Sequence, residues 1–595
     1  MEAPNLNHLW AKLLVEELVR NGIRRFVIAP GSRSAPLAVQ AFRNGAAETL
    51  VHFDERGAAF FALGSGLSGK PAAVICTSGT AVANCWPAVA EAFYSGIPLV
   101  VLSADRPPEL QACGANQTMD QVNLFGAHVR AHLALPCPDA QIPPESILTG
   151  IDAVIAAGLG QDKGPVHINC MFREPLAPIP IAAPWPDSYM SRLNSWDTVH
   201  SPYTFWETPQ TSLTPEQVTG LAEILSSTNK GLLVIGRLHT PNERDAVLTL
   251  ANKLHWPVLA DCTSGCRRMD CCKGLIAHYD LILRSTKFAD CILPECVLHL
   301  GDVVISKHLQ EFLRRVEGPY IQMVSRAGNR DSLHGVTRRY TADLALACSQ
   351  LSERLEARPA GEYLKRFLSA SETVQSLCEK QLDNDDVLTE LAVARIVDSA
   401  LPADMALFLG NSMPVRYMDC FASSCRAAQT QANRGLSGID GNIATAAGMG
   451  WGTPSGAASL IGDMAALHDM NSLALLKNAA SPVLLILLNN RGGGIFSHLP
   501  IAGYTDVAGP CFVNPHSFHF EAAAQMFDIA YKRVHEKQDL LESLKSASNL
   551  RNSFILEVMI DHKLNLSIHH SFFAEVTLTL DTQFAEMAQT VSGRP

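Results

Sequence analysis

The chain of 595 residues is too long for a single hydrophobic core, so two to four domains are expected. Its apolar content of 47% indicates a globular fold, and its formal charge of -11 argues against a nucleic-acid partner. No apolar run approaches the length of a membrane span, which argues against membrane insertion. Residues 1–20 are predicted to form an amphipathic helix rather than a signal peptide, and the 16 cysteines then suggest reduced thiols in the cytoplasm.

Strands and helices alternate in the first third of the chain. The predicted strands are 24–29, 50–53, 72–76 and 98–103, and the predicted helices are 57–69 and 81–94. This alternation predicts a parallel sheet, which binds ligands beyond the carboxyl ends of its strands. We expect a first domain over residues 1–190.

The same alternation returns twice after a Pro-rich stretch at 175–186. Strands are predicted at 230–236, 256–261 and 296–301, and again at 405–410, 458–461 and 483–488. A charged segment with helical spacing, 353–386, separates the two series. We therefore expect a central domain over 205–360 and a last domain over 385–575. The predicted class is α/β, with three doubly wound parallel sheets.

A carboxylate and an amide follow two strands of the last domain. Asp463 comes after the strand at 458–461, and Asn490 comes after the strand at 483–488. Mg²⁺ is usually held by one or two carboxylates together with substrate phosphates, and a helix start offers N–H groups to a diphosphate. An ordinary strand–loop–helix unit with an incidental Asp explains the same pattern. The arrangement nevertheless resembles the metal and diphosphate signature of thiamine diphosphate (ThDP) enzymes, although Met464 stands where Gly is usual.

Glu55 closes a short strand before a Gly- and Ala-rich helix. The ordinary role of such a residue is that of a helix N-terminal acid, which the helix dipole favours. ThDP chemistry, however, requires a carboxyl group against the cofactor's aminopyrimidine, while the cofactor supplies the electronics. A glutamate in the first domain and a metal site in the last domain match the layout of ThDP enzymes, so the resemblance makes Glu55 the catalytic acid–base group.

Four further short sequence segments indicate which family of ThDP enzymes the chain resembles. They are 30–37 (PGSRSAPL), 103–110 (SADRPPEL), 114–117 (GANQ) and 433–441 (NRGLSGIDG). Together they resemble a family of ThDP-dependent transferases in menaquinone biosynthesis, the 2-succinyl-5-enolpyruvyl-6-hydroxy-3-cyclohexene-1-carboxylate (SEPHCHC) synthases. The likeness runs from about residue 7 to residue 560. It implies that the three domains are pyrimidine-binding, central and diphosphate-binding domains.

The resemblance also implies a reaction and an assembly. 2-Oxoglutarate is decarboxylated on ThDP, and the resulting succinic-semialdehyde carbanion undergoes 1,4-addition to isochorismate to give SEPHCHC, with no pyruvate released at this step. Mg²⁺ is the expected metal, with Mn²⁺ as an alternative. A homodimer or homotetramer with active sites at the interface is expected.

Two dianionic substrates bring four carboxylates into one pocket, which suits the planar fork of arginine. The family positions imply a set of basic substrate-binding residues: Arg33, Arg106, Lys307, Arg416 and Arg434. They imply a set of neutral donors, Ser32, Asn116, Gln117 and Ser412, and a set of pocket residues, Ile495, Phe496 and Leu499. The implied cofactor-binding residues are Asn411, Ser437, Ile439, Gly462, Asp463, Met464, Ala465 and Asn490, and the implied metal ligands are Asp463, Asn490 and Gly492. Which arginine serves which substrate stays open.

One position departs from the family pattern, because related proteins often carry Lys-Arg where this chain has Lys307-His308. A neutral histidine cannot replace a permanent cation, and the imidazole ordinarily titrates near pH 6.5. His308 is therefore either a pH-dependent substrate contact or a surface residue beside Lys307.

Two other hypotheses compete with the synthase. One is a different ThDP-dependent decarboxylase or carboligase of the acetolactate synthase type, which the arginine set disfavours. The other is a catalytically silent relative kept for binding or assembly. A silent relative predicts loss of Glu55, Asp463 or Asn490, and all three residues are present.

Overall fold

The computed structural model describes residues 2–182, 185–267 and 271–591, and their strands form three separate sheets. Every strand pairing in these sheets is parallel. Parallel strands need crossover connections, usually helices, which cover both faces of a sheet. The predicted class, an α/β protein with three parallel sheets, is confirmed.

The first sheet is made of β1 (Arg25–Ile28), β2 (Glu48–Val51), β3 (Ala72–Cys76), β4 (Leu99–Asp105), β5 (Ala131–Leu135) and β6 (Pro165–Met171). Its strand order is β2-β1-β3-β4-β6-β5. The helices of this region are α1 (Leu6–Arg20), α2 (Ala35–Arg43), α3 (Glu55–Leu67), α4 (Thr80–Asn84), α5 (Trp86–Ser95) and α6 (Pro144–Leu159). The short helices α7 (Asp187–Ser191) and α8 (Asn194–Thr198) follow. Strands β3 and β4 are buried throughout, as expected for central strands with apolar runs.

The second sheet is made of β7 (Gly231–Ile235), β8 (Val258–Ala260), β9 (Cys296–Leu300), β10 (Tyr320–Val324) and β11 (Arg338–Thr341). Its order is β11-β10-β9-β7-β8. The helices of this region are α9 (Pro215–Ser227), α10 (Pro241–Leu254), α11 (Tyr279–Ile282), α12 (Thr286–Cys291), α13 (Lys307–Leu313) and α14 (Leu344–Arg354). The charged segment predicted to connect the last two domains contains the helix α15 (Glu362–Cys378).

The third sheet is made of β12 (Ala406–Leu409), β13 (Gln429–Gln431), β14 (Ala457–Gly462), β15 (Val483–Asn489), β16 (Ala530–Val534) and β17 (Phe554–Met559). Its order, β13-β12-β14-β15-β17-β16, repeats that of the first sheet. The first helices of this region are α16 (Glu390–Ala400), α17 (Met413–Phe421), α18 (Asn442–Gly452), α19 (Asp463–His468) and α20 (Leu473–Lys477). The later ones are α21 (Thr505–Val507), α22 (Glu521–Met526), α23 (Lys537–Lys545) and α24 (His562–Val591).

One local prediction was wrong in detail. The helix predicted at 81–94 is two helices, α4 and α5, because Pro87 has no N–H group to bond the carbonyl of Ala83 four residues earlier. The predicted N-terminal helix is present as α1, with a narrow polar face of the half-buried Lys12, Glu16 and Arg20, while Glu17 is inaccessible to solvent. Within the described residues, no helix combines the length and apolar character that a membrane crossing requires.

The first and third sheets are brought together by helices α3 and α18, which cross closely. A Cβ atom at Gly64 would lie 2.1 Å from the carbonyl oxygen of Thr445, and one at Gly448 would lie 2.0 Å from that of Phe61. Only glycine allows this backbone approach. The contact fixes how the helix that begins at Glu55 lies against the domain that carries Asp463.

Candidate active site

The carboxyl ends of β14 and β15 form a small cluster of oxygen atoms. Asp463 is 2% exposed, and its Oδ1 accepts a hydrogen bond from the Met464 amide at 2.7 Å. Its Oδ2 accepts one from the Gly492 amide at 3.0 Å and lies 3.2 Å from Nε2 of His516. Burial raises the pKa of Asp463, and the backbone hydrogen bonds oppose that shift.

Asn490 follows the neighbouring strand β15, and only the nitrogen of its side-chain amide is hydrogen-bonded. Its Nδ2 donates to Oε1 of Glu390 at 2.8 Å, whereas its Oδ1 is buried without a hydrogen-bond partner. Burial raises the pKa of Glu390 to about 7, with the Asn490 hydrogen bond opposing the shift and the charge of Asp463 adding to it. A hard cation such as Mg²⁺ binds oxygen ligands, and an unpartnered amide oxygen near a buried carboxylate can supply them.

The loop after β15 completes the fit to a metal and a diphosphate. Gly492 adopts φ +151°, and a Cβ atom there would lie 2.6 Å from the Val513 carbonyl oxygen, so only glycine fits. A cavity of about 570 Å³ opens beside the cluster, lined by Met464, Leu467 and residues 514–518. Carboxylate and amide oxygens next to an open cavity suit Mg²⁺ with bound phosphate. Asp463 and Asn490 therefore fit the metal that the family resemblance implies, whereas the carbonyl oxygen of Gly492 accepts a hydrogen bond from the Gly494 amide at 2.9 Å.

The glycine-rich loop 433–441 is held against the third sheet by buried polar side chains. Asn411 donates through Nδ2 to the carbonyl oxygens of Asn433 at 2.8 Å and Gly438 at 2.7 Å. Its Oδ1 accepts from Arg434 at 2.8 Å. Glu91 of α5 accepts the amides of Gly435 and Leu436, both at 2.7 Å. A carboxylate from the first domain thus positions the loop that carries Arg434.

Apolar and strained residues flank this loop. Ser412 and Ser437 adopt φ +72° and +62°, values uncommon for residues other than glycine. Ile439, which the family resemblance places beneath the cofactor, is 36% exposed at the surface of the chain. The short helical turn Gly494–His498 carries Ile495 and Phe496. The Phe496 ring packs against that of Phe512 with 5.5 Å between centroids, and the predicted pocket residue Leu499 is 44% exposed just after this turn.

Arg416 extends from α17 toward the same edge of the sheet. Its guanidinium donates back to the carbonyl of Ser412 and lies close enough to Arg434 for the two positive charges to repel each other. Among the residues that the structure describes, no carboxylate forms an ion pair with either guanidinium, so both are available to an anionic ligand.

A second cluster lies at the carboxyl edge of the first sheet. Arg33 is 6% exposed, donates to the Phe172 carbonyl at 2.9 Å and forms an ion pair with Glu174 at 3.5 Å. Burial and the charge of Arg106 lower the pKa of Arg33. The Nε atoms of Arg33 and Arg106 are both buried without partners. The exposed Ser32 precedes Arg33 in the same loop.

The loop containing Asn116 and Gln117 lies against the end of β3. Gln117 adopts φ +54°, donates through Nε2 to the Ser78 carbonyl at 3.0 Å and accepts from the Ser78 hydroxyl at 2.9 Å. Asn116 is exposed beside it. The fold thus brings both predicted neutral donors to the same edge of the sheet as Ser32 and Arg33.

Glu55 is the first residue of α3, after the N-cap Asp54. Its Oε2 accepts a hydrogen bond of 3.4 Å from Asn84 of α4, and it is half-buried. The exposed Val51 and Phe53 lie just before it. Among the described residues, no hydrogen bond or ion pair links Glu55 to Asp463 or to the loop around Ile439. The two neighbours of Glu55 do contact the third domain, because Arg56 donates to the His468 carbonyl at 2.8 Å and Asp54 accepts from Asn471 at 3.2 Å. The turn that carries Glu55 is thus joined to the helix that begins at Asp463, although Glu55 itself does not contact that residue.

The middle domain contributes the start of α13. The Lys307 side chain is 82% exposed and lies 3.4 Å from Glu311. His308 turns inward, with Nδ1 3.2 Å from Oδ2 of Asp280. Burial would raise the pKa of Asp280, but the hydrogen bond from His308 and the charge of Arg284 hold that pKa below its ordinary value.

Asp280 also connects this region to the third domain. Its Oδ1 lies 3.2 Å from the Sγ of Cys420, which lies one helical turn after Arg416 on α17. His308 is thereby linked through Asp280 to the helix that carries a predicted substrate-binding arginine.

The sequence patterns did not identify Glu91, Glu390 or His516 as functional residues. One local signal was available, because Glu91 is the single charged residue of the otherwise apolar α5 (WPAVAEAFYS). No local signal marks Glu390 or His516, since each meets its partner only in the folded chain.

Comparisons with known proteins agree with this architecture. Residues 10–124 match the N-terminal binding domain of thiamine pyrophosphate enzymes, 187–409 match the middle domain, and 415–558 match the C-terminal binding domain. Thiamine pyrophosphate is another name for ThDP. The fold, the oxygen cluster and these matches define a ThDP-dependent enzyme.

Curated relatives indicate the family of ThDP-dependent enzymes to which the chain belongs. A SEPHCHC synthase of Salinibacter ruber is 41% identical over 582 residues, covering 97% of this chain and 98% of the relative. SEPHCHC synthases of Chlorobaculum parvum and Rubrobacter xylanophilus are each 38% identical, covering 97% and 95% of this chain and 98% of each relative. The chain belongs to the SEPHCHC synthase family.

Proposed function

We propose that this protein is a cytoplasmic transferase of menaquinone biosynthesis that converts 2-oxoglutarate and isochorismate to SEPHCHC with ThDP and Mg²⁺. The observation that carries the proposal is the buried Asp463 carboxylate, which accepts the Gly492 amide, together with the unpartnered Oδ1 of Asn490 at the end of the neighbouring strand. It lies in a chain that matches SEPHCHC synthases over nearly its whole length.

Asp463, Asn490 and the backbone of Gly492 would hold the metal, and the adjoining cavity would hold the diphosphate. Bound ThDP supplies the electron sink that lets 2-oxoglutarate lose carbon dioxide and the remaining four-carbon unit add to isochorismate. Glu55 would hold and exchange a proton at the aminopyrimidine ring nitrogen. Ile439 would be the apolar residue that supports the bound cofactor.

The basic residues fall into two sets that suit two dianionic substrates. Arg33 and Arg106 form the first set, and Arg416 and Arg434 form the second. A guanidinium binds carboxylate through two parallel hydrogen bonds, which fixes both position and orientation. Ser32, Asn116, Gln117, Ser412 and Lys307 would add neutral and charged donors, and Ile495, Phe496 and Leu499 would exclude water.

We propose a homodimer, or a tetramer built from such dimers, in which the first domain of one chain meets the third domain of its partner. Val51 and Phe53, just before Glu55, are 58% and 59% exposed, and Leu436 in the glycine-rich loop 433–441 is 52% exposed. Burying these apolar side chains favours association. The same contact would bring Glu55 to a cofactor bound at the partner's third sheet.

We assign the domains to residues 1–190, 205–360 and 385–575, as pyrimidine-binding, central and diphosphate-binding domains. Each range contains one of the three sheets.

The test is release of carbon dioxide from 2-oxoglutarate by protein loaded with ThDP and Mg²⁺, with and without isochorismate. We expect turnover to require both substrates and the product to contain the four-carbon unit. Turnover of pyruvate without isochorismate would instead support an enzyme of the acetolactate synthase type. No turnover with either set of substrates would contradict the proposal.

A further inference from the structure

Two neighbouring asparagines at the end of β15 are each held by a buried glutamate. Asn489 donates through Nδ2 to Oε1 of Glu557 at 2.6 Å, and Asn490 donates through Nδ2 to Oε1 of Glu390 at 2.8 Å. Glu557 is 0% exposed and Glu390 is 3% exposed. Burying a carboxylate is costly unless its hydrogen bonds are satisfied, so each contact requires an explanation.

The two pairs differ in what the amide oxygen does. Oδ1 of Asn489 accepts a hydrogen bond from the Arg491 amide at 3.1 Å, so both ends of that amide are used within the chain. Oδ1 of Asn490 is buried and has no partner. The Glu557 contact is therefore part of a closed network, whereas the Glu390 contact leaves one oxygen free for a ligand.

We propose that Glu390 is a positioning residue that orients the Asn490 amide so that its oxygen, rather than its nitrogen, faces the divalent cation. This inference rests on the cation site of the proposed function. The two ends of an amide are nearly the same size, so shape alone does not select one orientation. A carboxylate selects the orientation in which the NH₂ group faces it, because the carboxylate accepts a hydrogen bond from that group and repels the amide oxygen.

Glu390 is itself held in place by a distant part of the chain. It is the first residue of α16, and its backbone amide donates to Oδ1 of Asn565 on α24 at 2.9 Å. Asn565 is 4% exposed. The preceding residue, Thr389, caps α16 by accepting from the Ala392 amide. A fixed backbone at Glu390 lets its short side chain hold Asn490 in one orientation.

The experiment measures Mg²⁺ affinity by calorimetry in ThDP-saturated, full-length protein. Glu390→Ala should weaken Mg²⁺ binding about 10- to 100-fold, the usual range when a partner of a metal ligand is removed. Glu390→Gln should lose much less, because its side-chain oxygen can accept the same hydrogen bond. Glu390→Met keeps the volume without an acceptor and should behave like Glu390→Ala, and it replaces that variant if the alanine protein does not fold.

A matched control is Glu557→Gln, which alters the corresponding contact of Asn489. Mg²⁺ affinity of its folded protein should stay within about twofold of wild type, since neither end of Asn489 faces the cation site. Asp463→Ala serves as the reference for the site itself. Circular dichroism confirms that each variant is folded.

The outcomes separate this inference from the proposed function. If Asp463→Ala weakens Mg²⁺ binding but Glu390→Met does not, the positioning role is wrong and the cation site stands. Equal losses in Glu390→Gln and Glu390→Met would assign the effect to charge rather than to orientation, which also overturns the inference. Unchanged affinity in Asp463→Ala would place the metal elsewhere and remove both proposals.

Discussion

The first and third sheets share one strand order, yet the loops at their carboxyl edges carry different side chains. After the third strand of each sheet stand Thr77 in the first and Asp463 in the last. After the fourth strand stand Arg106 and Asn490. The shared topology sets where a ligand can bind, and the side chains decide its chemistry. Arginines stand at both edges, whereas the candidate metal oxygens of Asp463 and Asn490 stand at the third-sheet edge. This difference suggests a division in which the third sheet binds the metal and the first sheet does not.

Among the variants, Glu55→Gln should have the largest effect, which we expect on turnover rather than on cofactor binding. Turnover should fall about 10²- to 10⁴-fold, because an amide keeps the shape of the side chain but cannot exchange its proton. ThDP affinity should change little, since the proposed metal site lies at the other sheet. Steady-state kinetics and calorimetry measure the two quantities. Glu109→Gln, which alters an exposed ion pair with Arg173, is the control and should match wild type. Near-normal turnover in Glu55→Gln would remove that residue from the mechanism.

Asp463→Ala tests the opposite edge. Mg²⁺ and ThDP should weaken together, each by at least about tenfold, because the metal joins the protein to the diphosphate. Calorimetry with each ligand in turn measures both affinities. Asp506→Ala, at an exposed carboxylate of the same domain, is the control. If ThDP affinity stays at the wild-type value while Mg²⁺ is still required, the metal is not bound by Asp463 at the edge of the third sheet.

Arg416→Ala and Arg434→Ala test whether the third sheet also binds substrate. A lost charge-assisted hydrogen bond costs about 1.5–3 kcal/mol, so we expect the KM for one substrate to rise at least about tenfold. Thermal stability should change less. Arg426→Ala removes an exposed arginine of the same domain and is the control. KM values within about twofold of wild type in both variants would indicate that these are ordinary surface arginines.

His308 should give a smaller effect. Because its ring faces Asp280, we expect His308→Ala to change substrate KM by no more than about twofold at any pH from 6 to 8. His308→Arg should keep activity, since a guanidinium can also pair with Asp280. Measuring KM against pH for the wild type and both variants provides the test. A KM that rises with pH in the wild type but not in His308→Arg would make His308 a direct substrate contact.

Glu17 tests whether a buried acid far from the site is structural. It accepts hydrogen bonds from Trp196 at 2.6 Å and from the Tyr203 amide. Burial and the neighbouring Asp152 raise the pKa of Glu17 from 4.5 to about 8. The folded state therefore binds more protons than the unfolded state between those values, so the free energy of unfolding should fall as pH rises from about 5 to 8.

Urea denaturation at pH 5.5 and pH 8 measures this dependence. Glu17→Gln should show a smaller change in the unfolding free energy between the two pH values, even if the variant is less stable overall. Turnover of the folded variant should match wild type. A pH dependence as steep as that of the wild type would assign the effect to other groups.

The three parallel sheets, and the position of the candidate metal ligands at the ends of two strands, could be predicted from the amino-acid sequence alone. Apolar runs such as 483–488 are typical of strands buried on both faces, and the polar residues that end them must lie at one edge of the sheet. The sequence alone therefore places Asp463 and Asn490 at the same edge. Short or half-exposed strands such as β13 and β16 gave no comparable signal, since their patterns are weak.

The distant side chains that contact the site residues could be identified only in the folded chain. Glu390 meets Asn490, Glu91 meets the amide of Gly435, and His308 meets Asp280, each pair being far apart in sequence. A glutamate at the start of a helix has the same local pattern whether it faces water or a buried amide. Its role depends on which surfaces pack against it, and packing is a property of the whole chain rather than of any short segment.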